Sequence, residues 1–375
     1  MRKIWISFLL ISLMIMAVSC KKSNNDSQQI SIAVITTSDV NDKSFNQEAY
    51  EEASEFAAKY NAKCRNYVTP SSQNSAIGET FSQASADGCN VFILMGYAFI
   101  RSILQFALKY PNVKFIGIDI NDADMYNMAE SLGMIGYKIP KNVYCCSFYE
   151  HYAGFMAGYA AIREGYTHLG FLGGRPVPAV IRYGLGYVQG IDFAAREMNI
   201  ADKVIVEYAY SKSFSASGSI TESMKQWFTD GVQVLFPCGG GIWTSGAAAA
   251  AEYNGRVIGV DIDQSSVINT YGANLCLTSA VKNIGRSVGY ILDIIREDRF
   301  DEFGGKADTL GMVSGDDPDM NFLRLPMESW TMTKFTQDDY KQLVSRIYNE
   351  EIKIAGAPDD KPEFSITLNV YPMLK

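Results

Sequence analysis

Two histidines, His151 and His168, are all that 375 residues contain. Histidine-rich metal chemistry and a histidine-dependent catalytic triad therefore have little to work with. Basic residues are also in deficit: 33 lysines and arginines face 41 aspartates and glutamates, a net charge of -8. Nucleic-acid binding needs a basic surface against phosphate, so that class is set aside. A GxxxxGK[ST] phosphate loop is absent, and no GxGxxG follows the first strand-like run. None of the cysteines shows CxxC or metal-ligand spacing. The composition, 47% hydrophobic and 20% charged, excludes a disordered, collagen-like or multi-span membrane protein.

What is present begins at the N-terminus. Arg2 and Lys3 precede a 16-residue apolar run, Ile4 to Ser19, followed at once by Cys20, Lys21 and Lys22. A basic start, a short apolar core and small residues before a cut site make a secretory signal, and the run is too short for a comfortable membrane span. Ala17-Val18-Ser19-Cys20 resembles a bacterial lipobox, with alanine where leucine is usual. The expectation is a signal peptide over 1–19, lipid on Cys20 and a polar, flexible tether over 20–29. The mature protein would sit at the extracytoplasmic face of a bacterial cell membrane. Loss of Arg2 and Lys3 leaves 31 basic residues against 41 acidic, a net charge near -10. The six remaining cysteines lie in or beside apolar runs and read as small buried residues.

From Ile30 short apolar runs alternate with helical spacing. Strands are expected over Ile30–Thr36, Lys63–Val68, Val91–Met95, Lys114–Asp119 and Asn142–Phe148, with helices between the first four. A second series follows, with strands at His168–Leu172, Lys203–Tyr208, Val232–Phe236 and Arg256–Val260. The tail adds a strand near Leu275–Ser279, a helix over Val281–Glu297, an acidic helix over Gln337–Glu350 and a weak strand over Phe364–Val370. Near-continuous apolar strands alternating with helices indicate parallel sheets covered on both faces. The fold class is α/β, in two halves of similar plan without sequence repetition.

Ligands of open α/β sheets bind beyond the carboxyl ends of the strands. Asn41-Asp42-Lys43-Ser44-Phe45-Asn46-Gln47 ends one such loop and opens a helix. It reads either as a capped helix start or as a polar rim, with Tyr50 one turn along as a flat wall. Gly239-Gly240-Gly241 reads as a tight turn or as backbone that lets a ligand approach. Val257 to Gln264 is an apolar strand closed by Asp261 and Asp263; one aspartate reads either as a cap of the next segment or as an inward carboxylate that can accept two hydrogen bonds from a vicinal diol. Lys282 reads as opening the helix after Thr278-Ser279, where a lysine is ordinarily a solvated surface residue. These patterns alone give a secreted two-domain binder of a small molecule.

Five stretches, in order, resemble the basic membrane protein family, lipoproteins that include purine-nucleoside receptors of ABC transporters. They are Asp42 to Gln47; Tyr110 to Phe115 running to Asp119; Phe155 to Ala161; Gly170 to Gly174 with Pro178 and Gly186 to Gly190; and Ile258 to Gln264 with Thr278 to Lys282. The resemblance covers about Ile30 to Lys353. It implies a type I periplasmic-binding-protein fold: two doubly wound parallel-sheet lobes joined by three crossovers, with the ligand between them. The expected division is 30–147 and 262–303 for lobe 1, and 148–261 and 304–375 for lobe 2. The resemblance also implies roles. Asn41 and Asp42 would border a purine base, and Tyr50 and Phe214 would stack on its faces. Asp119 would accept a hydrogen bond from the base edge. Asp261 and Lys282, with backbone near Gly239 and Gly240, would hold the ribose hydroxyls. Implied partners are a purine nucleoside, an ABC permease and, through Cys20, the membrane. No catalytic residue, metal or cofactor is implied, and the protein is expected to be a monomer.

The sequence departs from the family pattern at Asn41, often aspartate, and at Tyr50, often tryptophan or phenylalanine. Ser215-Ala216-Ser217 lacks the acidic residue that usually follows the position of Phe214, and Trp243 ends an altered glycine segment. A sugar or other heterocycle on the same fold, a sensor or adhesive lipoprotein, and a nucleoside-hydrolase-type enzyme remain as alternatives.

Overall fold

The computed structural model describes residues 29–356, 362–372 and 374. The expected signal peptide, Cys20 and all of the tether except Gln29 lie outside the described residues. The chain alternates strand and helix from the start. The first unit comprises β1 (Ser31–Thr36), α1 (Phe45–Tyr60), β2 (Lys63–Val68), α2 (Asn74–Ala86), β3 (Val91–Met95), α3 (Ile100–Phe106), β4 (Lys114–Ile118), α4 (Asp122–Ser131) and β5 (Val143–Phe148). The second comprises α5 (Glu150–Glu164), β6 (His168–Gly173), α6 (Pro178–Glu197), β7 (Ile205–Tyr210), α7 (Gly218–Thr229), β8 (Val234–Cys238), α8 (Trp243–Glu252), β9 (Arg256–Asp261), α9 (Ser265–Ile268) and β10 (Cys276–Lys282). Then come α10 (Ile284–Arg296), β11 (Lys306–Leu310), β12 (Leu323–Arg324), α11 (Gln337–Tyr348) and β13 (Thr367–Tyr371).

These strands form two sheets, ordered β11-β5-β4-β3-β1-β2 and β12-β10-β9-β8-β6-β7-β13. All neighbours pair in parallel except β10 with β12. The chain passes between sheets after β5, β10 and β11, the three crossovers of a type I periplasmic-binding-protein fold. Both faces of the sheets are covered. Along β1, Ile32 and Val34 enter one apolar core while Ala33 and Ile35 enter the other, as the two-residue period of a strand requires. Helices α1 and α10 pack together on the first sheet, and α5 packs on α6 in the second.

The α5–α6 contact explains two of the glycine-bearing stretches. A Cβ on Gly154 would lie 2.2 Å from the Tyr183 carbonyl oxygen, and one on Gly158 2.3 Å from that of Tyr187. From the other side, a Cβ on Gly186 would lie 2.1 Å from the His151 carbonyl and one on Gly190 2.0 Å from that of Phe155. The helices touch backbone to backbone, so no side chain fits at any of the four positions.

Sheet membership moves two expected boundaries. The second unit runs on through β10, which pairs with β9, so residues 262–282 belong with the second sheet and not with lobe 1. Strand β11 pairs with β5 and returns 306–310 to the first sheet. It is a short, half-exposed edge strand, Lys-Ala-Asp-Thr-Leu, with almost no apolar signal. Lys282 is the last residue of β10 rather than the opening of a helix; α10 starts at Ile284. Helix α4 was not expected. Its polar sequence carries a weak apolar face, and Asn121 caps it by accepting from the Asp124 N–H. The expected C-terminal strand forms as β13, paired in parallel with β7.

Candidate ligand site between the lobes

The carboxyl ends of the two sheets face each other, and their strand-end residues match in kind. Asp119 follows β4 with φ +59°, and Asp261 ends β9 with φ +67°. Both occupy the left-handed region, which aspartate tolerates better than most side chains. Gly96 and Gly239, following β3 and β8, also have positive φ, at +105° and +134°. Each lobe thus turns its chain sharply at the same two places and aims a carboxylate into the cleft.

Lys282 joins the two carboxylates. Its ammonium donates to Asp119 Oδ2 at 2.7 Å and lies 3.6 Å from Asp261 Oδ1 and 3.7 Å from Glu150 Oε1. The rings of Phe45, Phe148 and Tyr183 surround it at 4.7, 5.4 and 5.8 Å, within cation–π range. Lys282 is 1% exposed, so solvent cannot screen this charge. Burial disfavours the ammonium, but Asp119, Asp261 and Glu150 outweigh it and hold the lysine well above its ordinary range. Burial likewise acts against Glu150, and Arg182 with Lys282 outweighs it, keeping that carboxylate below its ordinary value. Arg182 Nε donates to Glu150 Oε2. At Asp119 burial wins: it pushes the carboxyl up to about 6 against the pull of Lys282, with Glu150 adding to the push. Asp119 Oδ1 is buried and has no hydrogen-bond partner among the described residues. An orphan acceptor of this kind costs free energy until a donor reaches it.

Three hydrogen bonds join lobe 2 to one loop of lobe 1. Ser44 Oγ donates to Asp261 Oδ2 at 2.7 Å. Gln264 Nε2 donates to the Lys43 carbonyl at 2.7 Å, and Trp243 Nε1 to the Asp42 carbonyl at 3.1 Å. The Asp42 carboxylate is occupied elsewhere, accepting the backbone N–H groups of Ser44, Asn46 and Gln47 at the start of α1. It acts as a helix cap that shapes the loop. Asn41 is exposed, and its side-chain amide donates to Asp39 at 2.7 Å. Tyr50 is half-buried on α1.

Gly239 and Gly240 serve Phe214. A Cβ on Gly239 would stand 2.9 Å from its ring, one on Gly174 2.6 Å from it, and one on Gly240 2.8 Å from its carbonyl oxygen. Gly241 N–H donates to that carbonyl at 2.8 Å. The glycine run seats the half-buried Phe214 ring above the ends of β6 and β8, with the Arg175 guanidinium 6.0 Å from the ring centre.

The structure therefore brings Asp119, Asp261 and Lys282 into one cluster, and Phe214 with Gly239 and Gly240 into another. Sequence reasoning missed Ser44, Glu150, Arg182 and Gln264 as members. Ser44 lay inside a singled-out motif. Glu150 and Arg182 carry no local signal, because a charge at the start of a helix is ordinarily solvated. Two surface hollows near Asn254, Gly255 and Arg256 lie at the opposite ends of the lobe 2 strands and are not part of the cleft. Among the described residues no group of side chains is placed to hold a metal ion, and no helix is long and apolar enough to cross a membrane.

Comparison with known proteins agrees with this geometry. Solved structures of ABC transporter solute-binding proteins superpose with low identity. One from Aeropyrum pernix has a TM-score of 0.66 at 19% identity, covering 87% of this chain and 88% of its own. One from Conexibacter woesei has a TM-score of 0.64 at 21% identity, covering 87% and 99%. The ABC transporter nucleoside-binding protein BmpA of Lactococcus lactis is 28% identical over 302 residues, 76% of this chain and 79% of its own. Basic membrane protein A of Borreliella burgdorferi is 26% identical over 371 residues, 97% and 98% of the two chains. Residues 29–356 match the Bmp family, described as PnrA-like ABC transporter substrate-binding protein. Matched over most of its length, the chain belongs to the Bmp family of PnrA-like ABC transporter substrate-binding proteins.

Proposed function

We propose that this protein binds a purine nucleoside between its lobes and delivers it to an ABC permease, held at the outer face of the cell membrane by lipid on Cys20. The observation that carries the reading is the buried cluster in which Lys282 gathers Asp119 and Asp261, one strand-end carboxylate from each lobe, while Asp119 Oδ1 has no hydrogen-bond partner among the described residues. A nucleoside is a flat plate joined to a vicinal diol. In this reading Asp261 and Lys282 take the ribose hydroxyls, and Asp119 accepts from the base edge. Tyr50 and Phe214 are the two walls, and Asn41 borders the rim. Gly239 and Gly240 act by seating Phe214, and Asp42 by holding the loop of Ser44. In this reading the protein is a monomer that binds without catalysis, as a substrate-binding protein of a transporter does. The name of the Lactococcus relative supports the ligand class.

The test is calorimetry on protein from Lys21 onward, unfolded and refolded to strip ligand, with inosine, guanosine, adenosine, cytidine and ribose. Saturable one-to-one binding of purine nucleosides is expected, with cytidine weaker and ribose silent. Asp261→Ala should lose about tenfold or more in affinity, the scale of a charge-assisted hydrogen bond. A loss below about twofold removes Asp261 from the site. Silence from every nucleoside in folded protein sends the search to sugars and other heterocycles. Anchoring is tested separately: Cys20→Ser should move the protein from the membrane fraction to the soluble one.

A further inference from the structure

In the parallel first sheet every strand starts at the same end, the end remote from the cleft. The loops feeding β4 and β5 there carry two large apolar side chains in water. Ile135 is 100% exposed and Leu108 74% exposed. Ile135 tops a turn bracketed by Gly133 and Gly136, whose φ values of +71° and +70° fold the backbone back beneath it. The segments that feed these two strands, 107–114 and 132–142, carry four lysines, Lys109, Lys114, Lys138 and Lys141, and no acidic residue; Asp119, Asp122, Asp124 and Glu130 fall between the two segments, after β4 and within α4. None of the four forms an ion pair among the described residues. At the neighbouring end of α10, by contrast, Arg296 and Arg299 are neutralised by Asp293, Glu297 and Glu302. A basic island with apolar tips is unusual on a chain of net charge -8.

The chain enters the fold at this same end. Gln29 is tied down beside it, its amide donating to the Asn61 carbonyl and its carbonyl accepting from Asn90. Strand β1 stands three strand positions from β5, about 15 Å across the sheet. Only eight residues lie between Cys20 and Gln29, a reach of at most about 30 Å, and they begin with Lys21 and Lys22. We propose that this end of lobe 1 rests on the anionic lipid surface, with Ile135 and Leu108 entering the headgroup boundary and the four lysines over acidic headgroups. The face would fix the orientation of the cleft relative to the membrane. The lysines gain from the negative surface potential, and the two aliphatic tips from leaving water. The position of the face beside the anchor rests on the reading of Cys20, but its affinity for lipid does not.

The test uses unacylated protein from Lys21 onward, so that failure of the anchor and failure of the face are distinguishable. Co-sedimentation is measured with vesicles of equal parts phosphatidylglycerol and phosphatidylcholine, and with phosphatidylcholine alone. Partition onto the anionic vesicles should exceed that onto neutral ones by about tenfold or more and should fall steeply with salt. Ile135→Asp and the pair Lys138→Glu with Lys141→Glu should each reduce it by about fivefold or more. Ligand affinity should not change, which shows that both variants are folded. Equal partition of wild type and variants overturns the proposal. So does a result in which the variants keep their partition but lose capture of the permease, which would make the face a protein-docking surface.

Discussion

The cleft depends on a few side chains whose charge is set by burial, and Glu48 is the one most sensitive to pH. It stands one turn into α1, accepts the Gly285 N–H at 3.0 Å, and has its second oxygen buried with no hydrogen-bond partner among the described residues. Burial pushes its carboxyl from 4.5 up to about 8; Asp261 adds to the push, while the Gly285 N–H pulls the other way. The unfolded chain loses this proton near pH 4.5 and the folded chain only near 8. The contribution to stability is therefore full below about pH 4.5, declines as pH rises, and is gone above about 8. Glu48→Gln keeps the acceptor for Gly285 and removes the charge. It should leave Tm unchanged at pH 4 and raise it at pH 8.5. Because Glu48 is only half-buried, the gain is on the order of 1–3 kcal/mol. Thermal melts at both pH values decide the matter: an equal offset at each would mean that Glu48 titrates normally. At this scale the sequence was readable where a residue's placement follows from a strand end, as for Asp119 and Asp261. It was not readable for Glu150, whose character depends on Arg182, 32 positions away and brought near only by the fold.

Elements were readable in proportion to their apolar period. The core strands and the long helices announce themselves because both faces of a parallel sheet must be covered. Helix α4 and strand β11 do not, because one is held by a cap and the other by an edge pairing. The glycines of α5 and α6 lie between these cases. Their spacing of four residues in each helix, Gly154 with Gly158 and Gly186 with Gly190, places each pair on one face. Only the partner helix explains why that face must be bare. Gly190→Ala puts a methyl 2.0 Å from the Phe155 carbonyl oxygen, and backbone cannot step aside cheaply. The helices would have to separate, costing about 1–3 kcal/mol or more. Gly218→Ala is the control: it sits at the first position of α7 with nothing within 4 Å of a new Cβ. It should be neutral or stabilising by up to about 1 kcal/mol. Denaturant titration of the two variants separates packing from helix propensity, and equal midpoints would refute the backbone contact.

For the whole molecule the decisive feature is that one short loop of lobe 1 makes three hydrogen bonds to lobe 2, with Trp243, Asp261 and Gln264. Asp42, Lys43 and Ser44 offer two carbonyls and a hydroxyl to lobe 2, and the Asp42 carboxylate holds the loop in shape by capping α1. The motif thus doubles as a latch. Each such bond contributes only about 0.5–1.5 kcal/mol net, so if the lobes close on ligand as proposed, the latch would bias that equilibrium without locking it. A ligand that bridges the lobes then has a smaller shift to supply, and its apparent affinity rises with the fraction already closed. Trp243→Phe isolates this effect. The ring still fills its place, which is 6% exposed, but the donor to the Asp42 carbonyl is gone. Without ligand, the radius of gyration from solution scattering should increase as the open form gains population. With ligand it should return to the wild-type value. Affinity should fall by about two- to tenfold, because the ligand must now do the work of the missing bond. An unchanged radius together with unchanged affinity would assign Trp243 to packing alone and leave closure to the cluster around Lys282.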